Sequence, residues 1–308
     1  MAASSTEEQI VTDYWNSNIA DDFFGITYWL ANPLISQRFN QGLVEGLPYC
    51  SWINYSLSFL ESVDCQRILG IGCGSGELEL RLAELDAAQF IDGVDLSDKR
   101  IEIANQRAKT RGIEQRVKFH VQNAEKMTME PNLYDAIYFN SSLHHMADLD
   151  AILLGCARAL KPTGYLFVNE YIGPNRFDFS EHEKKLLQSV FNLIPQQYRV
   201  SHDKNDRGEI RNTVGIPNPE DVARVDPSEA ICSAQIDEAI HKQFRVIKYN
   251  PTIGALMQFL LNGIAGNFRE SDSASVSVLE MLFDIEERLM EAGSLKPHFA
   301  FYVAQPNS

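Results

Sequence analysis

The first chemical possibility lies in a run of glycines. Gly70-Ile71-Gly72-Cys73-Gly74-Ser75-Gly76 follows Arg67-Ile68-Leu69 and leads into the helix-forming Glu77-Leu78-Glu79-Leu80-Arg81-Leu82. Strand, glycine turn and helix in that order make a loop that cradles a ligand, because glycine accepts positive φ and lets a ligand approach the backbone. Nicotinamide and flavin enzymes use related loops, so the loop alone leaves the ligand open. Two acidic residues narrow the choice. Asp95 ends the run Ile91-Asp92-Gly93-Val94-Asp95, where a carboxylate accepts both hydroxyls of a ribose; Asp92 lies earlier and is less well placed. A dinucleotide brings a pyrophosphate to the helix N-terminus, usually over G-x-G-x-x-G. Here the spacing is G-x-G-x-G and Glu77 follows at once, an unfavourable neighbour for a pyrophosphate.

A second group of residues suits proton chemistry. His144-His145 is a pair of imidazoles, whose ordinary pKa near neutrality lets one of them take a proton from a hydroxyl, an amine or an acidic carbon. The alternative is a structural role for at least one ring. Asn169-Glu170-Tyr171 offers Glu170 or Tyr171 as a base or a substrate-orienting group, against a Glu170 satisfied by backbone donors or an arginine. Asn123 carries a donor and an acceptor that suit an adenine edge, or is a turn residue. Leu96 either covers a face of that ring or belongs to the core. His182-Glu183 does not form H-E-x-x-H and reads as a solvated helix face. Arg199, His202, Lys204, Arg207 and Arg211 alternate with Asp203, Asp206 and Glu209, which cancels an anion-attracting field.

These residues must be held by an α/β framework. Residues 67–71, 90–95, 117–121, 134–139 and 164–170 read as strands, with helices at 76–86, 98–111 and 149–160 between them, the alternation of a parallel sheet. Lys161-Pro162-Thr163-Gly164 stops the last helix. Residues 1–62 form an N-terminal helical cap, whose spaced positions Ile10, Tyr14, Trp15, Phe23, Phe24, Tyr28 and Trp29 suit short amphipathic helices. Such helices roof a nucleotide pocket or supply core anchors; for Tyr14 both readings stand, and Trp52 is read as packing. Residues 63–171 are the cofactor-binding core, 172–243 a helical lid or insertion with a helix near 180–193, and 244–308 complete the core. That last part reads as strands at 244–249 and 298–304 flanking helices at 254–268 and 275–292. The expected fold is doubly wound, with a mostly parallel sheet of about seven strands.

With these motifs in order, the sequence resembles the class I S-adenosylmethionine-dependent methyltransferases. The resemblance spans the five strands from Ile68 to Glu170: ILGIGCGSG is similar to the family's first motif, GVDLS to its second, and NAEKM to the segment after its third strand. YDAIYFNSSLHHMAD resembles the fourth and ARALKPTGYLFVNE the fifth. It implies that Gly70, Gly72, Cys73 and Gly74 line the methionine portion of S-adenosylmethionine and that Asp95 binds its ribose. It further implies Leu96, Asn123 and Ala124 about the adenine, Asn140 near the amino-acid end and Tyr14 on the cap side. His144 and His145 would then stand beside the transferable methyl, and Glu170 and Tyr171 at the substrate edge. Many members carry a similar Leu-His-His whatever their substrate. NEYIGPNRF, Asp226-Pro227-Ser228-Glu229-Ala230 and Leu261-Asn262-Gly263-Ile264-Ala265-Gly266 resemble a bacterial small-molecule subgroup.

The implied reaction is direct displacement onto an oxygen, nitrogen or carbon nucleophile, with S-adenosylhomocysteine as second product and no obligatory metal. A chain of 308 residues with 44% hydrophobic and 22% charged residues has ample core to fold, and its net charge of −15 disfavours a nucleic-acid partner. A small-molecule acceptor in secondary metabolism is therefore expected. Cys50, Cys65, Cys73, Cys156 and Cys232 are odd in number with no C-x-x-C pair, which fits a reducing, cytoplasmic setting. No basic segment leads into an apolar stretch at the start, and no stretch reaches about 18 apolar residues, so neither a secretory signal nor a membrane span is expected. A homodimer is compatible with the sequence. The rival readings are an NAD(P)-binding oxidoreductase and a catalytically inactive partner protein that keeps the fold.

Overall fold

In a computed structural model, which describes residues 6–17, 27–48, 50–61 and 63–307, the apolar runs become seven strands in one sheet. They are β1 (Arg67–Ile71), β2 (Phe90–Asp95), β3 (Val117–Val121), β4 (Tyr134–Asn140), β5 (Leu160–Tyr171), β6 (Phe244–Thr252) and β7 (Phe299–Pro306). Their order is β3-β2-β1-β4-β5-β7-β6. The first five run parallel, and β7 pairs antiparallel with both β5 and β6, so the two late strands do meet at the sheet edge. Phe23 and Phe24 lie outside the described residues.

The central strand is buried on both faces, as a parallel strand under helices must be. Ile68 joins Leu80, Leu82 and Ala136 in one core, while Leu69 and Ile71 join Ile137, Ile152 and Leu153 in the other. Each fully buried aliphatic side chain contributes about 1.5–3 kcal/mol, enough that the packing of a few fixes where β1 ends and the glycine loop starts.

The helices end where their sequences stop them. α1 (Glu7–Ser17), α2 (Pro33–Leu43) and α3 (Trp52–Ser58) precede the sheet, in the part read from sequence as a cap, and α2 and α3 bury Ile35, Phe39, Leu43 and Tyr55 in the core with Phe167 and Phe301. α2 starts on Asn32, whose side chain accepts from Leu34 N with Pro33 at the first helical position. α4 (Glu77–Glu84) starts at Gly76, and α5 (Asp98–Thr110) is capped by Ser97 accepting from Arg100 N. α6 (Leu149–Ala159) is capped by Asp148. α7 (Glu181–Phe191) opens on a capping box between Ser180 and Glu183, which gives Glu183 a structural task and leaves His182 on the helix surface.

The segment 172–243 splits between the two faces of the sheet. Phe179, Leu187 and Phe191 share one core with Trp29 and Phe39 of the cap and with Met257, Phe268 and Phe283 of the C-terminal part. α8 (Pro219–Val225) follows, and α9 (Ile236–Gln243) packs on α6 in the opposite core through Ile236 and Ile240. Arg211 is tied to Asp203 and Asp206, so the alternating charges of this segment neutralise one another locally.

One helix departs from its reading. The expected helix over 254–268 is only α10 (Met257–Leu261), followed by a short turn at Ala265–Asn267. Gly263 adopts φ +80° and its N–H donates to Thr27 O at 2.6 Å, while Asn32 Nδ2 donates to Ala265 O and Phe268 O at 2.8 Å each. Tertiary partners thus take the groups a longer helix would have used. α11 (Ser273–Glu291) is intact, and its buried Glu286 accepts from Gly254, Ala255 and Met257 N–H groups, tying the helix to the turn after β6.

Strand order reverses between β1 and β4, which leaves a crevice outside their carboxyl ends, the place where open α/β sheets bind ligands. The glycine loop, Asp95, the histidine pair and Glu170 all sit at strand ends on that edge.

Candidate active site

The loop after β1 is held from three sides. Gly72, Gly74 and Gly76 adopt φ of +67°, +53° and +79°, which a side chain would strain. Gly72 N and Cys73 N both donate to Val94 O, at 2.9 and 3.0 Å, which fixes the loop against β2. A Cβ on Gly72 would overlap the side chain of Ser142, whose Oγ donates to Ile71 O at 2.7 Å, so the loop and the turn after β4 interlock. Asp95 completes the frame: Oδ2 accepts from Gly74 N at 2.8 Å and Oδ1 from Ser97 N at 2.9 Å. Each oxygen keeps a further lone pair for a ligand. Burial pushes the Asp95 carboxyl up, against the pull of the Ser97 and Gly74 amides and the Arg100 charge. Glu77 pairs with Arg107, which also reaches Ser75 O at 3.2 Å.

The cap helix α1 lies against this frame. Asn16 accepts from Ser97 Oγ and donates to Asp98, both at 2.6 Å. The Arg100 guanidinium sits 4.7 Å from the centre of the Trp15 ring, and Trp15 stands edge-on to His145 at 5.3 Å. Tyr14 packs edge-on to Trp15 at 5.2 Å, and burial followed by the charges of Asp226 and Glu229 raises its phenol. Trp15 therefore links the glycine-loop side of the crevice to the histidines. By contrast Trp29 is buried in the core and Trp52 packs on Phe301.

The histidines sit in a nest of carboxyl groups. Glu170 Oε2 accepts from Ser142 N and Leu143 N at 2.8 and 2.6 Å, and Oε1 accepts from Tyr171 N at 2.7 Å and bonds His144 Nδ1. The other nitrogen of His144 lies 3.6 Å from Glu229 Oε1. Burial opposes a charge on His144, but Glu170 first and Glu229 after it outweigh burial and hold its pKa up at about 9. The adjacent His145 behaves oppositely: burial and the His144 charge push it down to about 3. Its Nδ1 lies 3.1 Å from Ser228 Oγ, which itself donates to Asp226 Oδ1 at 2.7 Å. The backbone is strained around this nest, with Ser141, Arg176, Phe177 and Ala230 at positive φ, and Ile231 N donates to His144 O at 3.1 Å.

Within the nest only one carboxyl combines a raised pKa with an open side. The Glu229 side chain is 27% exposed, against 9% for His144 and 0% for Glu170. Burial raises the Glu229 carboxyl, the His144 cation opposes this, and Glu170 adds to it. His144, His145 and Glu229 each bring one metal-type ligand atom within 4.8 Å of the others. The bonds to Glu170 and Ser228 already account for one nitrogen of each ring.

The remaining sequence candidates lie along the same edge in different states. Asn123 Oδ1 accepts from Glu125 N at 3.0 Å, closing a turn after β3, with Ala124 buried behind it and Leu96 half-buried beyond Asp95. Asn140 is exposed at the end of β4 and accepts from Asn169 Nδ2 at 2.9 Å. The Tyr171 phenol donates to Pro174 O at 3.1 Å, and burial raises its pKa well above the usual range. Cys73 is half-buried with its thiol likewise raised by burial, and all five cysteines are free. Trp15, Asp226, Ser228 and Glu229 join the site without having been assigned a role from sequence. Two clefts, of about 210 Å³ between α2 and α11 and about 280 Å³ beside Arg67, Asp92 and Tyr134, share no residue with the loop or the histidine nest.

A seven-stranded sheet with one antiparallel strand beside β5, a G-x-G-x-G loop after β1 and an acid at the end of β2 define a methyltransferase-type α/β protein. Residues 63–214 match the family model described as a methyltransferase domain. These residues form a methyltransferase domain of the class I S-adenosylmethionine-dependent type. The chain is 29% identical over 182 residues to a sterol 4-C-methyltransferase of Caenorhabditis elegans, covering 58% of this chain and 52% of that one. It is 33% identical over 106 residues to a 27-O-demethylrifamycin SV methyltransferase of Amycolatopsis mediterranei (34% and 39%). The chain thus spans about half or less of the length of these curated relatives. A geranyl diphosphate C-methyltransferase from Streptomyces coelicolor A3(2), solved with Mg2+, geranyl diphosphate and S-adenosyl-L-homocysteine, aligns over 100% of both chains. Its TM-score of 0.55 at 13% identity is a likeness of fold. No helix among the described residues is long and apolar enough to cross a membrane.

Proposed function

We propose that this chain transfers the methyl group of S-adenosylmethionine to a nucleophilic oxygen, nitrogen or carbon of a small molecule, with Glu229 as the base. The observation that carries the reading is the pairing of a glycine loop in left-handed backbone with buried carboxyl groups, Asp95 at its side and the Glu170–His144–Glu229 nest beyond it. Such surroundings repel a pyrophosphate and favour a ligand that carries positive charge. Gly72 and Gly74 present bare backbone, and Asp95 keeps lone pairs for two hydroxyls. Leu96, Asn123 and Ala124 would bound the adenine, with Asn140 toward the amino-acid end and Tyr14 under the cap.

When bound, S-adenosylmethionine supplies an electrophilic methyl on a sulfonium. The acceptor forms its new bond to carbon as it gives up a proton. Glu229 is suited to take that proton, because its carboxyl is partly open while its charged form is steadied by His144 at 3.6 Å. His144, held protonated between two carboxylates, acts as the fixed positive charge of the nest and not as the base. Glu170 has no remaining role toward substrate, since its oxygens hold Ser142, Leu143, Tyr171 and His144. His145 and Tyr171 shape the wall. Positioning and exclusion of water supply the rest of the rate. The net charge of −15 supports a non-nucleic-acid acceptor.

Calorimetric titration with S-adenosylhomocysteine and with NADH tests the cofactor: binding of the first and not the second is expected, and tight NADH binding alone would refute the reading. Labelled S-adenosylmethionine with a pool of metabolites then identifies the acceptor. On it, Glu229→Gln should lower kcat by roughly 10²–10⁴-fold with S-adenosylhomocysteine affinity kept. In the natural chain kcat should rise with pH through the raised carboxyl pKa of Glu229, and that acid limb should vanish in the variant. An unchanged kcat would exclude Glu229 as the base.

A further inference from the structure

α4 carries a side chain that its own packing does not explain. Its neighbours Leu78, Leu80, Leu82 and Ala83 are buried, and so is Glu79, at 1% exposure. Glu79 Oε2 is shut away from solvent and has no hydrogen-bond partner among the described residues. A buried carboxyl without a partner costs free energy, so a fold that keeps one either tolerates the cost or meets it when something binds.

The position of the carboxyl points to the second case. β1 places Gly70 two residues before the loop, and a Cβ there would overlap Glu79 Oε1, with Glu79 Cδ at 2.8 Å and Cγ at 3.1 Å. Glu79 therefore fills the volume that a side chain at residue 70 would take. Its carboxylate form would disfavour a thiolate at Cys73 of the loop, and Asp95 adds to burial in keeping Glu79 protonated. Helix and strand thus exchange roles at this point: the strand gives up its side chain, and the helix sends a carboxyl to the loop's underside.

We propose that Glu79 binds the α-ammonium at the amino-acid end of the cofactor, reaching the glycine loop through the gap left by Gly70. The proposal rests on the S-adenosylmethionine reading above. The methionine portion of that cofactor carries an ammonium group, and a carboxylate with a free oxygen is the complement for it. In the ligand-free chain, burial raises the Glu79 carboxyl to about 8, so at neutral pH it is chiefly protonated and uncharged. Binding an ammonium favours the charged form; the carboxyl O–H gives up its proton to solvent, and the carboxylate pairs with the cation. Glu79 then neither reacts nor touches the acceptor. It is a cofactor-positioning residue.

The experiment uses the full chain and three probes that share the adenosine thioether. S-adenosylhomocysteine has both ammonium and carboxylate, S-adenosyl-3-thiopropylamine has the ammonium alone, and 5′-methylthioadenosine has neither. Glu79→Gln should weaken the first two by roughly 10- to 100-fold, the worth of a charge-assisted hydrogen bond, and leave the third unchanged. Calorimetry in two buffers of different ionisation enthalpy should show proton release on S-adenosylhomocysteine binding to the natural chain and none with Glu79→Gln. The double variant Gly70→Asp with Glu79→Ala returns a carboxylate to the same volume from the strand side and should recover part of the lost affinity. Equal weakening of all three probes, or of none, would overturn the proposal. If the natural chain binds methylthioadenosine and S-adenosylhomocysteine alike and Glu79→Gln changes neither, the cofactor reading survives and Glu79 has no part in it. Failure of the natural chain to bind any adenosine thioether would overturn the cofactor reading itself.

Discussion

Replacing Glu170 by glutamine should destabilise the chain most below neutral pH and progressively less in alkali. The carboxylate accepts from three backbone N–H groups and from His144, so all its acceptor directions are used. A carboxamide oxygen can keep Ser142 N and Leu143 N, but its NH2 then faces the N–H of Tyr171, donor against donor. An unsatisfied buried N–H costs about 1–3 kcal/mol. The second loss is the anion that keeps His144 protonated. A rise of the His144 pKa from 6.5 to about 9 corresponds to about 3 kcal/mol for this buried pair. The sign follows from linkage: a group with a raised folded pKa stabilises fully below its unfolded pKa, and loses that contribution as pH rises through the folded value. The penalty of Glu170→Gln should therefore be near its largest at about pH 6 and fall by about 3 kcal/mol toward about pH 9.5, leaving the smaller hydrogen-bond cost. Urea unfolding followed by tryptophan fluorescence and far-ultraviolet circular dichroism at several pH values measures it. A penalty that stays flat across that interval would refute the claim that Glu170 holds a proton on His144.

Two further changes test the frame around the site. Gly72→Ala puts a Cβ into Ser142 at φ +67°, so it should abolish S-adenosylhomocysteine binding while lowering stability by about 1–3 kcal/mol; retained affinity in a folded variant would show that the loop need not interlock with the turn after β4. Glu286→Gln turns one of the oxygens that accept Gly254, Ala255 and Met257 N–H groups into a donor, and should cost about 1–3 kcal/mol in urea unfolding without changing cofactor affinity more than slightly.

What the sequence made legible was local. The glycine loop announced itself because its chemistry depends on neighbouring residues, and Asp95 because it ends an apolar run of strand length. The sheet was readable from alternation, and the late strands from their short apolar runs. The 254–268 helix failed for the opposite reason: its apolar spacing is helical, but Gly263 and the side chain of Asn32 take its backbone groups in contacts more than two hundred residues away in sequence. Glu170 illustrates a residue whose type was legible and whose task was not, since one carboxylate can accept a substrate's proton or three backbone N–H groups, and only the fold brings the turn after β4 within its reach.

The proposed acceptor side of the site was hidden by distance of the same kind. Glu229 lies 85 residues beyond His144 and meets it only because the 226–231 loop docks through Ile231 N on His144 O. Asp226-Pro227-Ser228-Glu229 contains two acids and a hydroxyl, but in a charge-rich segment such a composition fits a solvated loop equally well. Trp15 was visible as an aromatic on an amphipathic helix, with no sign that Arg100 and His145 would be its partners. Glu79 did leave a signal. In Glu77-Leu78-Glu79-Leu80-Arg81-Leu82-Ala83, helical spacing puts residue 79 one turn before Ala83, inside the arc of Leu78, Leu80 and Leu82, whereas Glu77 and Arg81 fall on the outer side. An acid inside an apolar arc must be paired or serve a ligand. Read together with a glycine at residue 70, where the strand could have carried a side chain of its own, it locates a buried carboxyl that the described residues leave without a partner.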